Sequence, residues 1–301
     1  MPVRNFLQRR KADNIQNLGL YIITVLKGDL VTMLLGKAVR LGRLLTNPSG
    51  KFLSVAVDHG IANSYDWTQG LDRFDQIIAA RPDAITMMKG TASHYLTPYA
   101  GQIPWIMQTT AFPPHRTSVD YQLSFVEDAI ALGADAIAMT ISVVGDEQGE
   151  MIAMLGRLVT EARPVGLPVI AHIYPKGNLA RPEDFTSLPY VRYAARVGVE
   201  VGVDIIKIPY TGSPETFAEI VDACPVPVVA AGGPRLDSLE ALFTMVRGVI
   251  DAGARGLTIG RNVWQARHIP ATIAALKAIV HENKPVAQAL EIYYSLSGSG
   301  N

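Results

Sequence analysis

At residues 203–212 the chain has the sequence Val203-Asp204-Ile205-Ile206-Lys207-Ile208-Pro209-Tyr210-Thr211-Gly212. A short run of β-branched residues that ends in turn-forming residues is typical of a buried, parallel β-strand. Ser213-Pro214-Glu215 follows, and this order of cap, proline and acid indicates the start of a helix. The stretch therefore predicts a strand, a turn and a helix, the unit from which α/β folds are built.

Lys207 is a charged residue inside this apolar strand. Burying an unpaired ammonium is costly in free energy or lowers the pKa of the lysine. A lysine that is partly neutral near pH 7 attacks carbonyl carbons and forms Schiff bases. The alternative is that Lys207 pairs with a buried carboxylate or extends its ammonium out of the strand end. The strand alone leaves both interpretations open.

The composition is that of a globular α/β protein. Of the 301 residues, 49 % are hydrophobic and 18 % are charged, and 27 basic residues balance 27 acidic residues. Since there is no excess of positive charge, we expect no nucleic-acid partner. Cys224 is the only cysteine, which excludes an internal disulfide and fits a reducing compartment, so we expect a cytoplasmic location.

The first 50 residues predict a helical N-terminal extension to a catalytic domain at residues 51–301. The segment 18–35 is rich in Ile, Val and Leu, but Lys27-Gly28-Asp29 interrupts it, and each half is too short to cross a bilayer. We expect amphipathic helices that pack on the body of the protein or on another subunit, and no membrane partner. A helix on a membrane surface is the alternative. The turn Asn47-Pro48-Ser49-Gly50 ends the extension.

Beyond this turn the chain repeats a strand, a loop and a helix. The predicted strands lie at 52–57, 84–88, 105–108, 136–141, 169–173, 203–212, 226–230 and 256–259, and helices are predicted at 118–132, 151–162 and 188–197. Intervals of about 20–35 residues fit the βα unit, and right-handed crossovers favour a closed (β/α)8 TIM barrel. The rival, a doubly wound open sheet, usually carries a glycine-rich fingerprint after its first strand, where this chain has Asp58-His59-Gly60.

Two glycine-containing loops follow the seventh and eighth predicted strands. They are Ala231-Gly232-Gly233-Pro234 and Ile259-Gly260-Arg261-Asn262. Barrels commonly bind phosphate at these two places through backbone N–H groups, and Arg261 would add a charge-assisted contact. Either loop alone is more often a tight turn. Together they predict a phosphorylated substrate.

Polar residues at other strand ends are candidates for proton transfer and substrate contact. Asp58 could transfer a proton across the barrel mouth, or pair with Lys207 and orient it. Tyr174 ends the fifth strand, beside the strand of Lys207, and its phenol could act as a general acid or base. Packing alone is the alternative for this tyrosine. Three further residues are candidates for substrate contact: His59, His172 and Gln108. His59 could instead be a hydrogen-bonded residue of its turn. His172 shares a strand face with Tyr174, because side chains alternate along a strand.

Two loop lysines, Lys89 and Lys176, are predicted to be exposed to solvent or to contact anions. The sequence has no cluster of His and acidic residues with the spacing of metal ligands. We therefore expect neither a metal nor a cofactor.

Five motifs carry a family resemblance. In order, they are Val55-Ala56-Val57-Asp58-His59-Gly60, Tyr174-Pro175-Lys176-Gly177, Lys207-Ile208-Pro209-Tyr210-Thr211-Gly212, Gly232-Gly233-Pro234 and Gly260-Arg261-Asn262-Val263-Trp264-Gln265. They resemble the archaeal-type class I fructose-bisphosphate aldolases and the related group that includes the aldolase/thiolase of a phosphorylated autoinducer. The resemblance extends over about residues 37–294.

The resemblance implies a role for each motif. It implies a Schiff-base lysine at Lys207, a proton-donating tyrosine at Tyr174 and a strand-one aspartate at Asp58. The loops with Gly232-Gly233 and Gly260-Arg261-Asn262 would hold the substrate phosphate. The implied reaction forms or cleaves a C–C bond in a phosphorylated ketose and releases dihydroxyacetone phosphate. The resemblance also implies a homo-oligomer, in some relatives a decamer.

Three positions depart from the fructose-bisphosphate enzymes. His172 replaces a tryptophan, Gln108-Thr109-Thr110-Ala111 replaces a lysine followed by Leu-Asn-Gly, and Ser142-Val143-Val144-Gly145 replaces Tyr-Pro-Gly-Ser. These segments face the part of the substrate beyond the ketose phosphate, so the aldehyde half stays open. Two alternatives are thiolase-like acyl transfer on a phosphorylated diketone, against which Tyr174 argues, and a barrel that binds or isomerises a sugar phosphate without a covalent step.

Overall fold

The computed structural model describes residues 35–63 and 71–298 of the chain. Its strands are β1 (Phe52–Ala56), β2 (Ala84–Met88), β3 (Trp105–Gln108), β4 (Thr110–Ala111), β5 (Tyr121–Gln122), β6 (Ala136–Val143), β7 (Val169–Pro175), β8 (Ile205–Pro209), β9 (Val228–Ala231) and β10 (Gly256–Ile259). Eight of them form a closed parallel barrel in the order β1-β10-β9-β8-β7-β6-β3-β2, and β4 and β5 form a separate antiparallel pair. The predicted (β/α)8 barrel is confirmed.

The helices cover the outside of the barrel and its N-terminal end. They are α1 (Leu35–Leu44), α2 (Gly60–Asn63), α3 (Phe74–Ala79), α4 (Lys89–Tyr95), α5 (Val126–Ala131), α6 (Gln148–Ala162), α7 (Leu188–Val201), α8 (Pro214–Ala223), α9 (Leu239–Asp251), α10 (Arg261–Trp264), α11 (Ile269–Glu282) and α12 (Val286–Ser297). Ser213 caps α8 as predicted, because its hydroxyl accepts a hydrogen bond from the Thr216 N–H at 3.3 Å. None of these helices combines the length and the apolar character needed to cross a bilayer.

The predicted helix at 118–132 is wrong in its first half. The structure has a helix only at Val126–Ala131, and Tyr121–Gln122 is a strand that pairs with Thr110–Ala111. The N–H groups of Leu123 and Ser124 both donate to the carbonyl of Thr109. These backbone bonds to a distant segment replace the local bonds that a helix would make.

Side-chain alternation divides the buried residues into two cores. The smaller core fills the barrel and consists of Leu44, Phe52, Ala84, Ile106, Ala136, Ala138, Ile170, Ile205 and Val229. The larger core lies between the barrel strands and the surrounding helices. Inward positions near the carboxyl ends of the strands are polar, so the barrel interior is apolar at its base and polar at its mouth.

Helix α1 closes the base of the barrel. Leu44, at its last position, is fully buried against the interior core, and Lys37 forms an ion pair of 2.9 Å with Asp204 just before β8. The predicted turn after this helix is present, since the Gly50 N–H donates to the Asn47 carbonyl at 2.9 Å. The rest of the predicted N-terminal extension, residues 1–34, lies outside the described residues, and the boundary at residue 50 stays a prediction.

Candidate active site

Lys207 lies inside the barrel, in the middle of β8. It pairs in register with His172 on β7 and with Val229 on β9, and only 6 % of its surface is exposed. Burial lowers the pKa of Lys207 from 10.5 to about 8, and the negative charge of Asp58 opposes this shift. The neutral fraction of this amine near neutral pH is therefore much larger than that of an ordinary lysine, and the neutral form is the state that attacks a carbonyl.

His172 lies beside Lys207 and is uncharged. Burial lowers its pKa well below the ordinary value, and the positive charges of Lys207 and His59 add to the effect. Its Nδ1 is 3.5 Å from the hydroxyl of Thr140 on β6. A neutral imidazole at this place contributes hydrogen-bonding capacity to the site without a second positive charge.

Asp58 follows β1 and lies within electrostatic range of both Lys207 and Tyr174. Its Oδ1 is 3.2 Å from Nδ1 of His59. The His59 ring packs edge-on against Trp264, at 5.9 Å between ring centroids, and the Trp264 indole N–H donates to the Ala56 carbonyl at 3.2 Å. These contacts anchor the end of β1, so they hold Asp58 at the barrel mouth.

Tyr174 lies near the end of β7, with its ring stacked on Phe185 at a centroid distance of 5.7 Å. Burial raises its pKa above the ordinary value of 10, and the negative charges of Asp58 and Asp120 raise it further. The phenol therefore keeps its proton at neutral pH and is a donor. The sequence did not predict the contact with Phe185, because this residue ends a short 3-10 helix in the connection after β7.

The two glycine loops meet at the ends of β9 and β10. A Cβ on Gly232 would lie 2.9 Å from the Ile259 Cα, and a Cβ on Gly260 would lie 2.8 Å from the Ala56 carbonyl oxygen. Gly233 has a φ of 66°, a left-handed conformation that glycine adopts without strain. Glycine is therefore required here by close backbone packing.

Asn262 joins these loops. Its amide N–H groups donate to the carbonyls of Gly232 at 2.9 Å and Pro234 at 2.8 Å, and its Oδ1 accepts from the Leu236 N–H at 2.8 Å. The side chain is therefore engaged within the protein, so a contact between Asn262 and a substrate would have to use its backbone N–H.

Arg261 begins α10, directly after Gly260. Its Nε is buried without a hydrogen-bond partner among the described residues. Buried polar groups are normally hydrogen-bonded, so this donor is suited to an anion bound at the loops.

Gln108 joins a buried network of hydroxyl groups that the sequence did not predict. Its Nε2 donates to the hydroxyls of Thr110 at 3.1 Å and Thr140 at 2.9 Å. Its Oε1 is buried and has no hydrogen-bond partner among the described residues. Through Thr140 the network reaches His172, so the structure groups two of the predicted substrate contacts.

Of the two environments predicted for the loop residue Lys176, solvent or contact with an anion, the structure shows the second, with the anion supplied by the protein. The Lys176 ammonium lies over the face of the Phe112 ring, 3.6 Å from the centroid, and pairs with the buried carboxylate of Asp120 at 3.7 Å. The Ser142 hydroxyl donates to the same carboxylate at 2.9 Å. Lys89, in contrast, is partly exposed and pairs with Asp128 at 3.0 Å. No sequence signal linked Asp120 to Lys176, because 55 intervening residues separate them.

The described part of the chain contains no group of three or more His, Cys, Asp or Glu side chains placed to hold a metal ion. The expectation that the reaction needs neither metal nor cofactor stays a prediction.

Comparison with known proteins identifies relatives of the whole barrel. The sequence profile of the DeoC/LacD family of aldolases matches residues 52–266. A class 1 fructose-bisphosphate aldolase from Thermoproteus tenax is 34 % identical over 255 residues, which are 81 % of this chain and 94 % of the relative. A 2-amino-3,7-dideoxy-D-threo-hept-6-ulosonate synthase from Archaeoglobus fulgidus is also 34 % identical, over 86 % of this chain and 96 % of the relative.

Comparison with solved structures also identifies fructose-1,6-bisphosphate aldolases as relatives. An archaeal fructose-1,6-bisphosphate aldolase, with its catalytic lysine covalently bound to the carbinolamine intermediate of the substrate, superimposes with a TM-score of 0.74 and 32 % identity. The superposition covers 81 % of this chain and 99 % of that structure. The comparisons support a Schiff-base aldolase and lend no support to the thiolase-like or the noncovalent alternative.

Proposed function

The chain belongs to the DeoC/LacD family of aldolases, and from this membership and the geometry of the site we propose that Lys207 forms a Schiff base with a phosphorylated ketose. The enzyme would form or cleave a C–C bond next to the imine carbon and release dihydroxyacetone phosphate. The observation that carries this proposal is the burial of Lys207 at the barrel mouth, which lowers its pKa to about 8.

The first step forms the imine. The neutral amine of Lys207 adds to the ketose carbonyl and gives a carbinolamine, which loses its hydroxyl as water and becomes an iminium ion. Tyr174 is protonated, since its pKa is raised, and donates the proton that the leaving hydroxyl needs. A proton from solvent then restores the phenol before the next step. The neutral His172 at the same level of the barrel offers a hydrogen bond and adds no charge that would oppose the iminium.

The second step breaks the C–C bond. The hydroxyl on the carbon that becomes the aldehyde gives its proton to Asp58, and the electrons of the breaking bond neutralise the iminium to give an enamine. Tyr174 then protonates the enamine carbon, and the proton held by Asp58 restores the phenol. Water hydrolyses the resulting iminium ion, which frees dihydroxyacetone phosphate and the amine and returns to solvent the proton that was taken up when the iminium first formed. Condensation is the reverse sequence.

We assign the phosphate of the ketose to the loops after β9 and β10. Backbone N–H groups of Gly232, Gly233, Gly260 and Asn262, together with the Arg261 guanidinium, would bind it. The unpartnered Nε of Arg261 supports this assignment. His59, His172 and Gln108 would contact the rest of the substrate, Gln108 through its unpartnered Oε1.

Two further properties belong to the proposal. A homo-oligomer is supported by the exposed apolar side chains between β5 and the end of α5, among them Leu123 and Phe125, and the mass in solution would test it. A cytoplasmic location is consistent with the metabolic role of an aldolase, and fractionation of cells would test it.

Borohydride trapping tests the central step. Treatment with dihydroxyacetone phosphate and sodium borohydride should reduce the imine and add the mass of the ligand permanently to one peptide, the one with Lys207. Lys207→Arg and Lys207→Met should abolish both labelling and turnover. Lys89→Arg is the matched control, since Lys89 lies partly exposed on α4, and should behave as the parent. Normal turnover in either Lys207 variant with a native circular dichroism spectrum would exclude the Schiff base.

A further inference from the structure

Asp120 and Lys176 form a buried ion pair beside the proposed acid, Tyr174. The side chain of Asp120 has no exposed surface and that of Lys176 is 18 % exposed, so the lysine is the member that faces the mouth. The ammonium is 5.8 Å from the centroid of the Tyr174 ring. The hydroxyl that holds Asp120 belongs to Ser142, which pairs in register with Tyr174.

We infer that Lys176 contacts the aldehyde half of the substrate, and that Asp120, by cancelling its charge, makes the site select an uncharged hydroxyaldehyde over a phosphorylated one. This inference rests on the proposed function and names the second substrate. Asp120 is a positioning residue in this arrangement, because its carboxylate is too deeply buried to touch the substrate.

The position of the pair assigns it to the aldehyde half. The ketose phosphate is assigned to the loops after β9 and β10, and Lys207 lies on β8. Lys176 follows β7, and Asp120, in the loop before β5, is held by Ser142 near the end of β6. Both strands lie on the opposite side of β8 from β9 and β10. A ketose that spans Lys207 with its phosphate on one side therefore places its other end near Lys176.

The charges decide which aldehyde fits. Burial lowers the pKa of Lys176, and the Asp120 carboxylate opposes this shift. The face of the Phe112 ring beneath the ammonium also favours its charged form. A phosphate dianion at the ammonium would face the Asp120 carboxylate, one oxygen of which is buried without a hydrogen-bond partner among the described residues. Like charges close together in a poorly solvated site repel each other strongly. A hydroxyl or carbonyl oxygen can accept a hydrogen bond from Lys176 without this repulsion.

The test is condensation of dihydroxyacetone phosphate with D-glyceraldehyde or with D-glyceraldehyde 3-phosphate. The parent should prefer D-glyceraldehyde by about tenfold or more in kcat/KM, because repulsion from the Asp120 carboxylate penalises the phosphorylated aldehyde. Asp120→Asn keeps the shape and an acceptor for Ser142 but removes the negative charge, so it should move the preference toward the phosphorylated aldehyde. Asp222→Asn, on the exposed surface of α8, is the control and should keep the preference of the parent.

Each outcome decides the inference. A parent that prefers the phosphorylated aldehyde, or that condenses neither aldehyde, overturns it, as does an Asp120→Asn variant that slows both reactions equally. If Asp120→Asn does not fold, Lys176→Met is used as the test variant. It should lower the rate of condensation with D-glyceraldehyde more than the rate with D-glyceraldehyde 3-phosphate. Borohydride trapping of dihydroxyacetone phosphate on the same preparations separates the two proposals. If dihydroxyacetone phosphate is not trapped on Lys207, the proposed function fails together with the inference. If it is trapped but the parent does not prefer D-glyceraldehyde, only the inference fails.

Discussion

Lys207 and His172 occupy the same register position on adjacent strands, and both side chains are almost completely buried inside the barrel. The positive charge of Lys207 contributes to the low pKa of His172. Because burial disfavours both charged forms, the two residues together hold at most one positive charge at neutral pH. This arrangement favours the neutral amine that the proposed chemistry needs, and it makes the site sensitive to pH.

The first prediction concerns this pH dependence. The pKa of Lys207 is lowered to about 8, so the neutral fraction of the amine grows as the pH rises toward that value and levels off above it. The initial rate of borohydride labelling with dihydroxyacetone phosphate should follow the same curve, once corrected for the stability of borohydride. A labelling rate that still rises steeply toward the ordinary lysine pKa of 10.5 would contradict the burial effect.

The lowered pKa of Lys207 also makes the free energy of unfolding depend on pH. Between pH of about 8 and 10.5 the unfolded chain holds a proton on this lysine that the folded protein has lost, so this group makes the free energy of unfolding rise with pH. Lys207→Met removes the contribution. Urea unfolding of parent and variant over this window should give a difference that grows with pH in favour of the parent.

The second prediction concerns Asp58. Its negative charge raises the pKa of Lys207 and so opposes the effect of burial. Asp58→Asn should therefore lower that pKa further and move the midpoint of the labelling profile to a lower pH, while turnover falls because the proposed proton acceptor is lost. Asp222→Asn should leave the midpoint unchanged. A midpoint that moves to higher pH in Asp58→Asn would show that another group controls the lysine.

The barrel is predictable from the sequence because each strand carries its own signal. Strands such as Trp105–Gln108 and Gly256–Ile259 are short apolar runs between turn residues, and the position of Lys207 in such a run follows from the sequence alone. The antiparallel pair β4–β5 was missed because its hydrogen bonds join segments about a dozen residues apart, and the apolar residues from 119 onward favoured a continuous helix.

The site is only partly predictable, for a related reason. Lys207, Tyr174 and Asp58 follow or lie within strands whose ends converge in any barrel. Asp120 lies in a loop and Phe185 ends a short 3-10 helix between β7 and α7. The geometry of such connecting segments depends on contacts that sequence spacing does not encode. The sequence left open whether Lys176 is exposed or contacts an anion, because its partner carboxylate comes from such a loop.

The third prediction concerns Asn262, which makes three hydrogen bonds between the glycine loops. Asn262→Ala leaves buried backbone groups without partners, so it should lower the free energy of unfolding by about 1–3 kcal/mol and weaken phosphate binding through the displaced loops. Urea unfolding and the KM for dihydroxyacetone phosphate measure the two effects. Asn178→Ala, at an exposed asparagine, should cost less stability. A fully stable Asn262→Ala protein would argue against the role of this side chain in joining the loops.

The fourth prediction concerns Arg261. Its guanidinium is assigned to the substrate phosphate, and Arg261→Ala should weaken binding of dihydroxyacetone phosphate by about 1.5–3 kcal/mol. Isothermal titration with the ligand measures this loss. Arg235→Ala, at an exposed arginine of the preceding loop, is the matched control and should bind as the parent does. Equal affinity of the parent for dihydroxyacetone and its phosphate would exclude a phosphate site at these loops.

The last prediction separates proton transfer from imine formation. Tyr174→Phe keeps the ring that stacks on Phe185 and removes the phenolic hydroxyl. General acid–base groups contribute roughly 10²- to 10⁴-fold to a rate, so turnover should fall within that range. Labelling of Lys207 by borohydride should persist, since the nucleophile is intact, although its rate should decrease because Tyr174 also assists the loss of water. Exchange of the proton next to the ketose carbonyl should slow in proportion to turnover. If the tyrosine only packs against Phe185, Tyr174→Phe would keep the parental turnover, and proton transfer would then belong to Asp58 or to water.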